Sequence, residues 1–379
     1  MHFRDTPEDR FQSRADEAVV IPPRCPYAAC HDRGRGIFRW ERWGWFNRKR
    51  APYLVQRFRC LACGRSFSSQ TFRGSYWQKR PDLDGRVRNS GLSCSANRQI
   101  GRALGCNKDT VAQKIARAGR QAIRHHAAML ARKPELLTGR LIFDGLWSFE
   151  TNPNFPYELN IAVTDLDFVL GFTESEMRRS GRLTNKQKND RKEAEAAFGV
   201  PPRHSTRNAI ADLLRASVPH FDPAQTQLWS DEHKEYPRAI RDAGAAAIPH
   251  KTVSSRAIRD AKNPLFPINL ADMWFRHSQS NQKRDTIAFS KRRQGGIDRA
   301  WLFLSHRNYV RPRRIKSGDP PPAVQAGIAR RAMTDAEIYS NRIFHDDVVL
   351  PAAWEKQIRR EVVTRPIANN RRHSLRFAF

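Results

Sequence analysis

The chain has 379 residues, with 68 Lys plus Arg against 38 Asp plus Glu, a formal charge of +30 and a sequence pI near 10.9. That imbalance points to a polyanionic partner, while 39% hydrophobic residues, with nine Trp and 21 Phe, exclude a wholly disordered basic chain. At about 150 residues per domain the length allows two or three domains, six cysteines are too few for a disulfide scaffold, and no run approaches the ~20 apolar residues of a membrane span, so a soluble, intracellular product is expected.

Residues 1–20 read as a charged N-terminal extension without the apolar core of a secretory signal. The first module, 21–75, carries Cys25 and Cys30 in CPYAAC and Cys60 and Cys63 in CLAC, separated by the basic, aromatic GRGIFRWERWGWFNRKRAPYLVQRFR. Two close pairs on turns predict a zinc ribbon, in which four thiolates complete a tetrahedral structural Zn²⁺ site. The first pair has four residues between its cysteines rather than two, and His31 beside it is an alternative ligand. Cys94 and Cys106 stand alone and suggest no metal role. The stretch SSQTFRGSYWQKRPDLDGRVRNSG is expected to join modules with little core of its own.

A helix-turn-helix is predicted over 85–130, because the apolar positions Ile100, Ala103 and Leu104 resume after a break at Val111, Ile115 and Ala116. Ser93 or Ser95 is the expected cap of its first helix, Gly105 its terminator, and Asn107 or Lys108 the start of the second. Lys108, Thr110, Gln113, Lys114 and Arg117 then form an outward DNA-reading face. A domain boundary is placed near 135 and the next domain over 136–315, followed by a basic C-terminal extension at 316–379.

Three strands are expected in LIFDGLWSFE, ELNIAVTDLD and FVLGFTESEM, then a solvated charged helix or insertion in SGRLTNKQKNDRKEAEAAFG. A helix follows in STRNAIADLLRASV with Ser205 or Thr206 as cap, a strand in QTQLWSDEH, a short helix in EYPRAIRDAG, a strand in AAIPHKTVSS and a longer helix around Leu270. This arrangement offers three carboxylates for a two-metal site: Asp144 and Asp231 after short apolar runs, and Asp272 within the last helical pattern. Divalent magnesium takes such oxygen ligands. Arg276 lies one helical turn beyond Asp272, where it can brace that carboxylate or contact a phosphate. Glu232, Glu235, Asp285, Asp298, Asp346 and Asp347 are weaker candidates for the third acid. The tracts KRRQ at 291–294, RPRR at 311–314 and RRHSLRF in the tail are expected to hold DNA through counterion release, and Trp147 and Trp229 to stack on bases or fill the core.

The order of three strands, helix, strand, helix, strand, helix resembles the ribonuclease H fold. Together with the ribbon, NRQIGRALGCNKDTV, DGLWSF, WSDEH and NLADMWFRHSQSNQKRDTIAFSKR, it resembles a DDE-type bacterial insertion-sequence transposase with an N-terminal zinc ribbon. The expected fold is therefore multidomain: a small zinc ribbon, a helical helix-turn-helix module and an α/β ribonuclease H-like domain with a mixed sheet. The resemblance implies that Asp144, Asp231 and Asp272 hold Mg²⁺ or Mn²⁺ for strand cleavage and transfer. It also implies double-stranded DNA partners (terminal repeats and target), a homo-oligomer on DNA, and a cytoplasmic, nucleoid-associated bacterial location. The chain departs from that family in having Asp at the third position, where many relatives have Glu, and Gly145 where an acid is frequent. A regulatory or domesticated DNA-binding protein and a ribonuclease H-like nuclease without strand transfer are the alternatives.

Overall fold

Two compact units divide the chain: the described residues as far as Pro81 with Tyr339–Asp347, and Asp82–Ile338 with the described residues from Val348. The computed structural model describes residues 21–33, 36, 38–49, 52–133, 135–284 and 286–367. The 1–20 extension, Asp285 and the basic tail lie outside these.

In the first unit β1 (Trp40–Asn47), β2 (Leu54–Cys60) and β3 (Ser66–Ser68) form an antiparallel sheet in that order. Val55, Phe58 and Cys60 of β2 are buried, and Trp40 meets Phe58 edge-on at 5.3 Å. The core is little more than Phe58, Phe67 and three cysteines, with half-buried aromatics around them. So small a core needs a staple. The segment 339–347 returns to this unit: Arg342 N–H donates to the Phe72 carbonyl, and Phe344 packs on Phe72 at 5.7 Å. Asp346 and Asp347, candidates for the third acid on sequence, instead pair with Arg24 and Arg33.

The second unit opens with three helices, α1 (Asp84–Leu92), α2 (Asn97–Ala103) and α3 (Lys108–Ala131). The stretch read as a linker thus contains a helix, because Leu83 and Val87 lie one turn apart and pack on Ile100, Val111 and Ile115. Ser93 and Ser95 do not cap α2: Ala96 holds that position, and its N–H donates to the Gln99 side chain at 2.8 Å. Asn107 caps α3 as expected, accepting from Asp109 N–H. In the turn between them Gly105 has φ +60°, and a Cβ at Gly101 would meet the Cys106 carbonyl at 2.7 Å. Helix α3 continues past the turn to pack on α8 (Arg293–Tyr309), where a Cβ at Gly119 would stand 2.5 Å from the Asp298 carbonyl. The helices and the sheet that follows therefore belong to one compact unit.

That sheet has five strands, β4 (Leu137–Phe149), β5 (Pro156–Thr164), β6 (Val169–Glu176), β7 (Phe221–Asp231) and β8 (His250–Val253), in the order β6-β5-β4-β7-β8. β4 runs parallel to β7 and β7 to β8, whereas β5 is antiparallel to both β4 and β6. Between the strands lie α4 (Asn185–Phe198), capped by Thr184 and with no buried residue, α5 (Ser205–Ser217) and α6 (Tyr236–Asp242), and α7 (Phe266–Ser278) follows β8. Helix α5 starts after His204, in the left-handed region at φ 58°, rather than on a serine or threonine cap. A further helix, Ala352–Ile358, belongs to this unit despite falling in the expected C-terminal extension. Its Trp354 is buried beside Trp301, over Gly171, where a Cβ would meet the indole at 2.4 Å. The protein is thus a multidomain α/β structure with a small cysteine-rich cluster and a mixed five-stranded sheet. Among the described residues no helix is long and apolar enough to cross a membrane.

Candidate functional site

Four sulfurs converge in the first unit. Cys25 and Cys30 flank a turn closed by Cys30 N–H on the Tyr27 carbonyl, while Cys60 ends β2 and Cys63 follows in a turn closed by Gly64 N–H on the Cys60 carbonyl, with Gly64 at φ +70°. Cys25 Sγ lies 3.8 Å from Cys63 Sγ and Cys30 Sγ 3.6 Å from Cys60 Sγ. A tetrahedron with metal–sulfur bonds of about 2.3 Å has edges of about 3.8 Å, so this spacing fits structural zinc and is far too long for a disulfide. Burial pushes the Cys25 and Cys63 thiols up, whereas at Cys60 the same burial is outweighed by N–H donors from Cys63 and Ala62. His31 is exposed and sits against Asp32 at 3.4 Å, outside the cluster.

In the second unit the three acids come from different elements: Asp144 from the middle of β4, Asp231 from the end of β7 and Asp272 from α7. Asp144 Oδ1 accepts from its neighbour Gly145 N–H at 2.7 Å and from the Tyr236 hydroxyl at 3.3 Å. Asp231 Oδ1 accepts from His233 N–H at 3.0 Å. Asp272 Oδ1 is buried and has no hydrogen-bond partner. Burial, and then repulsion from Asp231, pushes Asp144 up to about 6; burial, and then repulsion from Asp144, pushes Asp272 up to about 8. The three acids therefore form one electrostatic cluster, although among the described residues only the four cysteines bring three or more such ligand atoms all within 4.8 Å of one another.

The cluster has members the sequence reading missed. Glu158 on β5 is pushed up to about 7, by burial first and then by Asp144 and, more weakly, Asp231. Its carboxylate lies against Gly145, where a Cβ would stand 2.0 Å from Glu158 Oε1. The available signal was a lone acid inside PYELNIAVT, a strand buried along its whole length. Tyr236 meets Phe143 edge-on and His233 at a tilt and carries its hydroxyl to Asp144, and Arg259 supplies positive potential to Asp144 and Asp272. Arg276 braces Asp272 through charge alone, because its guanidinium donates to the Trp147 and Gln282 carbonyls. His233 and Glu232 are exposed, and Asp298 is buried beside Gln294, with Arg120 attracting it, where α3 meets α8.

The expected DNA-reading face is only partly outward. Lys108 and Gln113 are exposed, Thr110 and Arg117 half-buried, and Lys114 is buried in an ion pair with Asp84 of α1. The outward reading of Lys114 is therefore corrected: α1, absent from the expected helix pair, covers it. Of the basic tracts, Arg293 is buried against Glu150 at 2.7 Å and Glu176 at 3.0 Å, and Arg313 pairs with Asp167 at 2.8 Å. Trp147 is exposed, whereas Trp229 lies half-buried between Arg140 and Lys251. No protein-family model matches the chain, and no curated protein matches it.

Proposed function

We propose that the protein is a metal-dependent DNA transposase of the DDE type, with a zinc ribbon, a helix-turn-helix and a ribonuclease H-like catalytic domain. The observation that carries the reading is the gathering of Asp144, Asp231 and Asp272, from two neighbouring parallel strands and a helix, into one repelling acidic cluster in a chain of charge +30. The succession of three strands, helix, strand, helix, strand, helix around an added surface helix supports the domain assignment.

Asp144, Asp231 and Asp272 would hold Mg²⁺ or Mn²⁺; a cation there would satisfy the unpartnered Asp272 oxygen and relieve the repulsion that raises the Asp144 and Asp272 carboxyls. The ions would lower the pKa of an attacking water and stabilise the leaving oxygen of a phosphodiester. Around them Tyr236 orients Asp144 by hydrogen bonding, and Arg276, anchored on two carbonyls, keeps a cation beside Asp272 for a DNA phosphate. The α2–α3 pair would dock on duplex ends through Lys108, Thr110, Gln113 and Arg117, and pairing two ends requires an oligomer.

The test incubates purified protein with Mg²⁺ and linear DNA carrying the flanking element ends, comparing wild type with Asp144→Asn, Asp231→Asn and Asp272→Asn. Cleavage and joining by wild type, with DNA binding alone in the variants, is the expected result. Activity that survives all three substitutions overturns it. Cutting without joining assigns a nuclease, and binding without cutting a regulatory DNA-binding protein.

A further inference from the structure

The segment 254–265, between β8 and α7, runs from one candidate acid to another. It leaves β8 at Val253, the residue paired with Asp231, and enters α7, the helix that carries Asp272. Arg256, Arg259 and Lys262 on it are exposed, and among the described residues none of the three forms an ion pair. The one acid of the segment, Asp260, is turned to the backbone: its Oδ1 accepts from Lys262 N–H at 3.0 Å and from Asn263 N–H at 3.2 Å. Asn263 Nδ2 donates to the Ile258 carbonyl at 2.8 Å, and Ser254 Oγ accepts from Arg256 N–H at 3.4 Å. Ser254, Asp260 and Asn263 therefore shape this backbone, and the three cationic side chains take no part in it.

Exposure alone does not mark a contact, because water solvates a surface cation. Position does: Arg259 attracts both Asp144 and Asp272 and pairs with neither, so its donors remain available beside the acids. Arg293 and Arg313 of the basic tracts are by contrast paired inside the fold. A nucleic-acid strand lying across the acids carries further phosphates on either side of the bond placed there, and cations bordering the acids neutralise them. The sequence SSRAIRDAKNPL has no aromatic ring to stack on a base, which favours the phosphate backbone of a paired duplex over unpaired nucleotides. We propose that the segment 254–265 is a phosphate clamp, in which Arg256, Arg259 and Lys262 hold the backbone of duplex DNA next to the bond that the acids would cleave. Its place at that bond rests on the carboxylate reading; the cationic contact does not.

The test measures fluorescence anisotropy of labelled duplex DNA carrying the flanking element ends, titrated with the zinc-loaded full chain at a series of salt concentrations. Wild type is compared with Arg256→Gln/Arg259→Gln/Lys262→Gln, which leaves the hydrogen bonds that shape the segment in place and should keep the wild-type circular dichroism spectrum and Tm. Expected is a loss of affinity of about tenfold or more at low salt, with the slope of log affinity against log salt shallower by about 3, one phosphate contact for each cation. The same duplex with single methylphosphonate linkages, which carry no charge, locates the contact. Wild type should lose affinity when the linkages beside the cleaved bond are neutral, and the variant should be indifferent to them. An unchanged slope overturns the clamp. A shallower slope with the sensitive linkages remote from the cleaved bond overturns its place at the acids. If wild type cuts no DNA, the slope still decides the cationic contact, and only its place at a cleaved bond falls with the carboxylate reading.

Discussion

Asp272→Asn should stabilise the protein at alkaline pH while removing metal-dependent chemistry. In the folded chain burial, and then the charge of Asp144, moves the Asp272 carboxyl from its usual 3.8 to about 8. Between about pH 4 and 8 the folded state keeps a proton that the unfolded state has released, so stability falls as pH rises through that window and levels off above it. At about 1.4 kcal/mol per pH unit the ceiling is about 5 to 6 kcal/mol. Asp144 and Glu158 are raised partly by the same repulsion, so removing one carboxylate recovers only part of this, about 2 kcal/mol. For a unit of this size that corresponds to a rise of about 4 to 8 °C in Tm. Thermal unfolding followed by circular dichroism at pH 9, without added divalent cation, reads the difference. At about pH 3.5 Asp272 is protonated in both the folded and the unfolded state and the two proteins should melt together. Mg²⁺ at about a hundredfold over its Kd should stabilise wild type by about 2.7 kcal/mol and the variant much less. Equal melting at pH 9, or a gap that persists undiminished at about pH 3.5, would refute the reasoning.

Gly145→Ala places a Cβ inside the Glu158 carboxylate and should cost about 1 to 3 kcal/mol in urea unfolding, with stability regained in Gly145→Ala/Glu158→Ala. If the single change is silent, Glu158 does not lie over Gly145. Lys114→Met removes the Lys114 cation from a half-buried Asp84 and should cost about 1 to 3 kcal/mol, yet change DNA affinity about twofold or less; a selective loss of DNA binding would return Lys114 to the reading face. Cys60→Ser should abolish stoichiometric zinc in metal analysis and expose the first unit to proteolysis, and full zinc retention would contradict the four-sulfur centre.

Much of the second unit's element order was legible because its strands are short apolar runs and its helices carry apolar stripes, as at Ile210, Leu213 and Leu214 of α5. The four cysteines were legible for a different reason: two thiol pairs on turns have few physical uses besides metal binding. What escaped were elements whose apolar content is sparse. α1 buries only Val87 and Gly91, and the helix Ala352–Ile358 attaches mainly through Trp354, Gln357 and Ile358, so each reads as polar chain until the surface it covers is known. The caps failed where a backbone arrangement replaced the expected hydroxyl, with Gln99 reaching back to Ala96 and His204 left-handed before α5.

The candidate site divides along the same physical line. An acid ending or interrupting an apolar run can be picked out, so Asp144 and Asp231 stand out, whereas Glu158 becomes visible only when the β4–β5 register sets it opposite Trp147 and the bare backbone of Gly145 admits its carboxylate. Charge runs mislead in the opposite direction. KRRQ reads as a cationic surface, yet Arg293 is the internal counter-ion of Glu150, 143 residues away in sequence, and of Glu176. Such pairs withdraw equal positive and negative charge and leave the net of +30 unchanged, but they take cations off the surface of the tracts that look most basic.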